Sequence, residues 1–413
     1  MLNAAVELNG RSYGWPQNPV VAVCIDGSEP GYIEAAVSAG MAPFFEKIMA
    51  EGTNRIARCV VPSFTNPNNI SIVTGRPPSV HGICGNFFYD RETDSEVMMN
   101  DPKFLRTGTI FKAFQDRGAK ICVITAKDKL RRLLGKDLVF GDGTAIGFSA
   151  ETSDQATLAE NGIEDVPAFV GLPVPSVYSA DLSEFIFAAG VKIMARDRPN
   201  IMYLSTTDYI QHKHAPGTPV ANGFYAMMDG YLRQLDAMGC AIALTADHGM
   251  NAKHGADGQP DVIYLQEVLD HKLGPNAVRV ILPITDPYVA HHGALGSFAT
   301  AYLSDGVDRD ALLDDLRAME GIEEALDRAA GCARFELPED RVGDIIVVST
   351  RNKVLGTTAA RHDLSALKEP LRSHGGVSEQ RVPFLVNRKI DLPEDAPLRN
   401  FDIYHVLMNH LVS

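Results

Sequence analysis

The sequence has no closely spaced cysteine pairs. Its six cysteines include no Cys-x-x-Cys motif, which is the spacing that many zinc sites and thioredoxin-like redox sites use. Three of them, Cys24, Cys122 and Cys240, lie inside apolar runs typical of strands, where a reduced cysteine behaves as a small hydrophobic residue. We therefore expect reduced thiols and an intracellular, cytoplasmic protein.

Long hydrophobic runs and an excess of basic residues are also missing. No apolar run approaches the ~18 residues that span a bilayer, and the N-terminal MLNAAVELNGR lacks the pattern of a signal peptide. Lys and Arg number 38 against 52 Asp and Glu, so the formal net charge is −14. We expect no nucleic-acid or membrane partner. An acidic protein that binds an anion instead needs local cations, from metal ions or a few lysines.

The composition that remains is that of an ordinary globular protein of 413 residues, 45% hydrophobic and 22% charged. Short β-branched runs alternate with longer amphipathic stretches, which predicts an α/β three-layer sandwich around a mainly parallel sheet. Such sheets bind ligands at the carboxyl ends of their strands. The strand candidates are PVVAVCI, NRIARCVV, KICVIT, NIMYLS and CAIALTA.

The segment 261–368 has a different pattern. RVILPIT, GSFATAYLS and DRVGDIIVVST predict strands, and the acidic DRDALLDDLRAMEGIEEALDRAAG predicts a helical segment. The candidate metal ligands all lie outside it: Asp26, Asp208, His212, Asp247, His248 and His374. We therefore predict an inserted α+β cap domain over 261–368, and a catalytic core formed by 1–260 and 369–413.

Six carboxylate and imidazole side chains occur at the ends of apolar runs or in short polar motifs: Asp26, Asp208, His212, Asp247, His248 and His374. Asp208 and His212 are four residues apart, so on a helix they share one face and can bind one ion. Taken singly, that pair also fits a surface contact, and His374 fits a plain loop histidine. Together the six predict a metal site, with oxygen and nitrogen ligands that suit zinc and are also compatible with manganese or iron.

Thr65 precedes the run N-P-N-N-I-S-I-V-T-G, in which Pro67 suits the first turn of a helix. One interpretation of Thr65 is a helix N-cap. The other is a nucleophile, because a helix N-terminus favours a phosphoryl group and metal coordination lowers the pKa of a hydroxyl. Further on, T-G-R-P-P-S-V-H-G-I-C-G-N ends at Asn86, whose amide could donate to a phosphoryl oxygen. His81 in that motif has a structural role in our interpretation.

These motifs, in this order, resemble those of the alkaline phosphatase superfamily: Asp26, Thr65, T-G-x-x-P-x-x-H-G-I, D-x-x-x-H, D-H-G and H-G-G. Within it they are similar to the nucleotide pyrophosphatase/phosphodiesterase branch, and most of all to phosphonoacetate hydrolases. The resemblance implies two zinc ions per chain. One would be bound by Asp26, Asp247, His248 and the Thr65 hydroxyl, and the other by Asp208, His212 and His374.

Lys127 and Lys129 follow the strand candidate KICVIT. On the residues alone they could be solvated loop lysines. The resemblance implies that they hold the carboxylate of a small-molecule phosphonate, with His212 and His214 also bordering the substrate.

The expected function is therefore zinc-dependent hydrolysis of the carbon–phosphorus bond of phosphonoacetate to acetate and phosphate, through a phosphothreonyl intermediate. A phosphodiesterase or phosphomonoesterase of the same superfamily is the alternative, since an ester needs no lysine clamp on a carboxylate. A metal-binding protein without catalysis is a third interpretation, which an intact nucleophile position argues against. The oligomeric state is left open, and a homodimer is compatible with the sequence.

Overall fold

The computed structural model describes residues 5–141, 143–285, 293–365 and 367–412, and a seven-stranded sheet forms its centre. Across the sheet the strands are Thr53–Arg58, Arg381–Val386, Ala241–Thr245, Val20–Cys24, Ile201–Ser205, Ile121–Thr125 and Ala145–Ser149. The last five run parallel to one another, whereas Arg381–Val386 is antiparallel to both of its neighbours. The predicted α/β fold with a mainly parallel sheet is confirmed, as are the five strand candidates.

Both faces of this sheet are covered. The strand Val20–Cys24 is buried throughout, and Val20 and Ala22 belong to one hydrophobic cluster while Val21 and Val23 belong to another. Because side chains alternate across a strand, the sheet has a core on each side and helices outside them. The α-helices are Pro30–Ser38, Pro43–Glu51, Thr65–Thr74, Pro78–His81, Ile110–Gln115, Asp128–Leu134, Leu158–Asn161, Val166–Val170, Asp181–Asp197, Tyr209–Lys213, Pro219–Ala237, Leu265–Leu273, Arg309–Ala318, Arg328–Phe335 and Ile403–Asn409.

Four short pairs of strands lie outside the central sheet. They are Val6–Leu8 with Arg11–Tyr13, Phe87–Asp90 with Ser95–Met98, Asn251–Ala252 with Arg372–Ser373, and Val262–Tyr264 with Val354–Gly356.

None of the helices in the described ranges has the length and apolar character to cross a bilayer.

The segment 261–368 contains a separate antiparallel sheet, in the order Val278–Ile281, Phe298–Leu303, Ile345–Ser349 and Ile322–Asp327. Its division from the core as a domain stays a prediction, and residues 286–292 and 366 lie outside the described residues.

The prediction of one helical segment through DRDALLDDLRAMEGIEEALDRAAG is wrong in its middle. The helix Arg309–Ala318 ends before Gly321, whose φ of +90° suits glycine. The chain then forms the strand Ile322–Asp327, because its backbone pairs with Ile345–Ser349. Helical structure resumes at Arg328–Phe335.

Candidate active site

The carboxyl edge of the central sheet brings the predicted metal ligands together. Asp26, Asp208 and Asp247 each follow one of three adjacent parallel strands. His212 lies on the short helix that begins after Asp208, and His374 follows a two-residue strand. Residues far apart in the sequence therefore meet at one place, as expected for the switch region of a parallel sheet.

Two adjacent groups of three side chains each have ligand atoms within 4.8 Å of one another. The first is Asp208, His212 and His374, and the second is Asp26, Asp208 and His248; all are buried. Asp208 belongs to both groups, so the two candidate sites are neighbours. Asp247 falls outside the second group, although its Oδ2 lies 3.8 Å from His248 Nε2.

The three histidines of the cluster share one tautomer. The Nδ1 atoms of His212, His248 and His374 lie 2.8, 2.9 and 2.8 Å from backbone carbonyl oxygens. A carbonyl oxygen can only accept, so each Nδ1 carries a proton, and Nε2 is the ring nitrogen that can bind a metal. Metal-binding histidines are usually held in this way. The three carbonyls belong to Arg372, Gly249 and Ser63, respectively.

Buried carboxylates crowd this cluster. Burial raises the pKa of Asp26 well above its ordinary value, and the charges of Asp208 and Asp247 raise it further. Burial lowers the pKa of His248, but Asp247 and Asp26 outweigh that effect and raise it to about 10. A bound cation would offset the mutual repulsion of these carboxylates. The combination of carboxylate oxygens and Nε2 lone pairs fits a divalent ion such as zinc.

Asp247 is held rigidly. Its Oδ1 accepts the backbone N–H groups of Gly27, at 3.2 Å, and of His248, at 3.0 Å. Its Oδ2 accepts the side-chain amide of Asn69 at 3.2 Å. These three bonds stabilise the charged carboxylate and fix its direction.

Asn69 is a site residue that our sequence reasoning missed. It is fully buried, and its Oδ1 accepts the hydroxyls of Tyr203, at 2.7 Å, and Ser205, at 3.1 Å. These two donors orient the amide so that its Nδ2 reaches Asp247. Its position four residues after Thr65, on the same helix face, was the available signal.

Thr65 is the first residue of the helix Thr65–Thr74, and Phe64 occupies the N-cap position. The N-cap interpretation of Thr65 is therefore wrong. The half-buried threonine lines a cavity that also exposes Asp26, Asp208 and His374. The Thr65 hydroxyl therefore lies both at a helix N-terminus, where a phosphoryl group can bind, and in the cavity that contains candidate metal ligands.

Asn86 lines the same cavity. Its Oδ1 accepts the backbone N–H of Asn66 at 3.1 Å, so its Nδ2 is the end available to donate to a ligand. Its backbone is fixed as well, since its N–H donates to Pro283 O at 2.8 Å and its carbonyl accepts Met99 N–H at 2.7 Å. The predicted donor is thus presented in a defined orientation.

Lys127 and Lys129 also line this cavity, and both are half-buried. Lys127 occupies the N-cap position of the helix Asp128–Leu134. Asp128, between the lysines, accepts instead from Arg131 Nε at 2.6 Å and Arg132 Nε at 2.8 Å. The structure therefore brings both lysine side chains to the cavity that contains Thr65.

The other predicted site residues are not among the described residues that line this cavity. His212, Asp247 and His248 are buried and do not belong to it. His214 does not belong to it either; its carbonyl accepts the Tyr32 hydroxyl at 2.8 Å. Its role in substrate binding stays a prediction.

Further lining residues escaped the sequence interpretation: Asn66, Met98, Asn100, Leu130, Thr206, Thr207 and Ile284. Thr206 fixes the segment that carries the candidate metal ligand Asp26, because its Oγ1 accepts the backbone N–H of Asp26 at 2.9 Å. Its position directly after the strand NIMYLS was a usable signal. Met98 and Asn100 lie at and after the end of a hairpin strand, and no local pattern marks them.

The chain matches the family model described as type I phosphodiesterase/nucleotide pyrophosphatase over residues 20–376. It is also similar to the crystal structure of phosphonoacetate hydrolase from Sinorhizobium meliloti 1021 in complex with phosphonoacetate. The identity is 60%, the TM-score is 0.95, and the match covers 98% of this chain and 99% of that one. The complex of that enzyme with phosphonoformate gives 61% identity, a TM-score of 0.95 and the same coverage of both chains.

More distant proteins show a weaker likeness. Human ectonucleotide pyrophosphatase/phosphodiesterase 5 has 17% identity and a TM-score of 0.63 over 96% of both chains, which shows a common fold. Venom phosphodiesterase from Macrovipera lebetinus is 37% identical over 90 residues, which is 22% of this chain and only 10% of that protein. The chain therefore belongs to the type I phosphodiesterase/nucleotide pyrophosphatase family, the branch of the alkaline phosphatase superfamily that its motifs predicted.

Proposed function

We propose that this chain is a phosphonoacetate hydrolase, which converts phosphonoacetate and water into acetate and phosphate. The observation that carries the proposal is 60% identity, over 98% of the chain, with an enzyme of that name bound to phosphonoacetate. The cavity supports it, because two lysines lie in the same lining as Thr65 and three of the candidate metal ligands. Two ammonium groups suit a substrate with a carboxylate as well as a phosphoryl group.

We assign two zinc ions to the ligand cluster. One set would be Asp208, His212 and His374, and the other Asp26, Asp247, His248 and the Thr65 hydroxyl. When bound, the ions would supply Lewis acidity that lowers the pKa of that hydroxyl and offsets phosphoryl charge.

The chemistry of this chain's own residues follows from that arrangement. Thr65 loses its hydroxyl proton to solvent, its Oγ attacks phosphorus, and the carbon–phosphorus bond breaks as a phosphothreonyl group forms. The bonding electron pair passes to the methylene carbon and spreads into the carboxylate as an enediolate. Lys127 and Lys129 stabilise that charge, while Asn86 Nδ2 donates to a phosphoryl oxygen. A proton from solvent then completes acetate, and water hydrolyses the phosphothreonyl group to release phosphate.

The second candidate is a phosphodiesterase, which the family description favours. Nucleotide substrates need an aromatic surface on which the base can stack. Among the described residues that line the cavity there is no Phe, Tyr or Trp. That lining favours a small anionic substrate over a nucleotide.

Phosphate release from the phosphonates and nitrophenolate release from a phosphodiester, both measured with added zinc, separate the two candidates. We expect the highest kcat/KM for phosphonoacetate, with lower values for phosphonopyruvate, 2-aminoethylphosphonate and a nitrophenyl phosphodiester. A clear preference for the diester would overturn the proposal and establish the alternative.

His212→Ala is expected to lower bound zinc from two ions per chain to one. The substitution removes one of only three protein ligands of its site, while the neighbouring site keeps its own histidine and carboxylates. Elemental analysis of the folded, dialysed protein measures the change. His214→Ala is the matched control, because it removes an imidazole two residues further along that is not assigned to either ion. Two zinc ions in His212→Ala would contradict the ligand assignment.

We also propose that the enzyme is cytoplasmic and that residues 261–368 form a cap over the core. All six cysteines are buried and free, which suits a reducing compartment. Ile284, from the segment 261–368, contributes to the cavity lining, which suits a cap that shapes the entrance to the site.

A further inference from the structure

A fully buried ion pair lies behind the candidate metal ligands. Lys253 Nζ is 2.9 Å from Glu379 Oε1, and neither side chain has any exposed surface. Lys253 follows the segment that carries Asp247 and His248, and Glu379 follows His374 by five positions. Burying two charges is costly unless their hydrogen bonds are complete, so the surroundings of this pair are informative.

Lys253 uses all three of its N–H groups. Besides Glu379, its Nζ donates to Ser297 Oγ at 2.7 Å and to the carbonyl of Arg351 at 2.6 Å. The backbone N–H of Ser297 donates to the carbonyl of His374 at 2.9 Å. The ammonium group is thus connected through one residue to a candidate metal ligand.

Glu379 is bound to the segments of two ligands. Its Oε2 accepts the backbone N–H of Gly376 at 2.9 Å, two residues after His374. Its own carbonyl accepts the backbone N–H of Gly249, next to His248, at 2.7 Å. Its Oε1 also accepts from Asn251 and Ser378, both at 2.6 Å. A carboxyl group that accepts four hydrogen bonds is ionised, and Lys253 supplies the matching charge.

The loop that carries His374 depends on such external contacts. His374 is followed by Gly375 and Gly376, and Gly375 has a φ of +122° that other residues rarely adopt. Ser63 holds the near side, since its carbonyl accepts His374 Nδ1 at 2.8 Å and its hydroxyl accepts Gly375 N–H at 3.0 Å. The Lys253–Glu379 pair holds the far side, through Ser297 and Gly376.

We propose that Lys253 and Glu379 are positioning residues, which keep His374 Nε2 directed at the metal that it shares with Asp208 and His212. The inference rests on the zinc assignment of the proposed function. It also links that metal site to the segment 261–368, because Ser297 and Arg351 both lie in that segment. The bond from Gly249 N–H to the Glu379 backbone carbonyl survives a side-chain substitution. Loss of the pair should therefore weaken chiefly the zinc site that contains His374.

The test is the double variant Lys253→Met/Glu379→Gln, which removes both charges with side chains of similar size. Each single variant would leave a buried charge without its partner and would be expected to unfold the loop. We expect the double variant to keep the wild-type circular dichroism spectrum. One of its two zinc dissociation constants should rise about 10- to 100-fold, the usual effect of losing a partner behind a metal ligand. Titration against a chromogenic chelator measures both constants.

The control is Lys353→Met/Asp261→Asn, which makes the same change of charge at a partly exposed ion pair, with a Nζ–Oδ1 distance of 2.7 Å and side chains that are 23% and 34% exposed. It should leave both zinc constants unchanged. Wild-type zinc affinity in the Lys253→Met/Glu379→Gln variant, or an equal loss in the control, would overturn the positioning role. The zinc titration needs no substrate. Failure of the wild-type protein to cleave phosphonoacetate would therefore count against the proposed function and leave this result intact.

Discussion

Thr65→Ala should abolish nearly all phosphonoacetate turnover while the folded chain still binds metal. Thr65 is the first residue of its helix and lines the cavity beside Asp26 and Asp208, so its hydroxyl is placed to attack phosphorus. Six carboxylate and imidazole ligands remain in the variant. Loss of the nucleophile in a catalytic unit of this kind typically lowers kcat by several orders of magnitude. Phosphate release and zinc content, measured on the same preparation, check both parts.

Thr65→Ser is the control, because it keeps a hydroxyl at the same backbone position. We expect it to retain measurable turnover and to form a phosphorylated protein that can be detected by intact mass after rapid acid quenching. Turnover in Thr65→Ala close to that of the wild-type protein would show that water attacks phosphorus directly. Thr65 would then bind the substrate or metal without acting as a nucleophile.

The residues that could be predicted from the sequence are those with a local pattern. Asp26 and Asp247 each follow an apolar run, and the run ends because the strand ends at the sheet edge. The strand Ile322–Asp327 was mistaken for a helix since its acidic sequence EEALD has no alternation of apolar residues. Its conformation is determined by pairing with Ile345–Ser349, whose residues lie 18 to 27 positions further along the chain. Pairing over that separation leaves no local trace in the sequence.

Hydrogen-bond roles separate the candidate ligand histidines from a structural one. The Nδ1 of His81 accepts the backbone N–H of Ile83 at 3.1 Å, so its Nε2 carries the proton and donates to Ser71 Oγ at 2.9 Å. Burial, assisted by the charge of Arg341, lowers the pKa of His81 to about 3. The three histidines in the cluster have the opposite tautomer. This difference depends on the folded backbone and is invisible in the sequence.

The supporting residues were missed for a related reason. Asn69 contacts Asp247 across 178 positions of sequence, and Lys253 contacts Glu379 across 126. Neither residue belongs to a motif whose spacing indicates a metal site. The sequence therefore predicts groups that could touch the metal or substrate better than groups that hold them in place.

Lys127→Ala and Lys129→Ala should impair cleavage of phosphonoacetate far more than cleavage of a nitrophenyl phosphate ester. During cleavage of the carbon–phosphorus bond, negative charge gathers on the substrate carboxylate, and an ammonium group beside it binds the transition state better than the ground state. Loss of such a contact costs roughly 2–4 kcal/mol, or about 30- to 1000-fold in kcat/KM. The ester loses a phenolate, which is stable without help and carries no carboxylate. The ratio of kcat/KM for the two substrates measures the difference directly.

Arg132→Ala is the matched control for these variants. Arg132 lies on the same helix as Lys129 and carries the same charge, but its side chain is 67% exposed and pairs with Asp128. The Arg132→Ala variant should leave the ratio of kcat/KM for the two substrates unchanged. That result would distinguish a local contact of the lysines from a general effect of losing positive charge. Equal losses on both substrates in the lysine variants would mean that the lysines bind the phosphoryl group. If neither lysine variant lowers kcat/KM for either substrate, the lysines are solvated surface residues. An ester would then be the better candidate substrate, because no other Lys or Arg among the described residues lines the cavity and could bind a carboxylate.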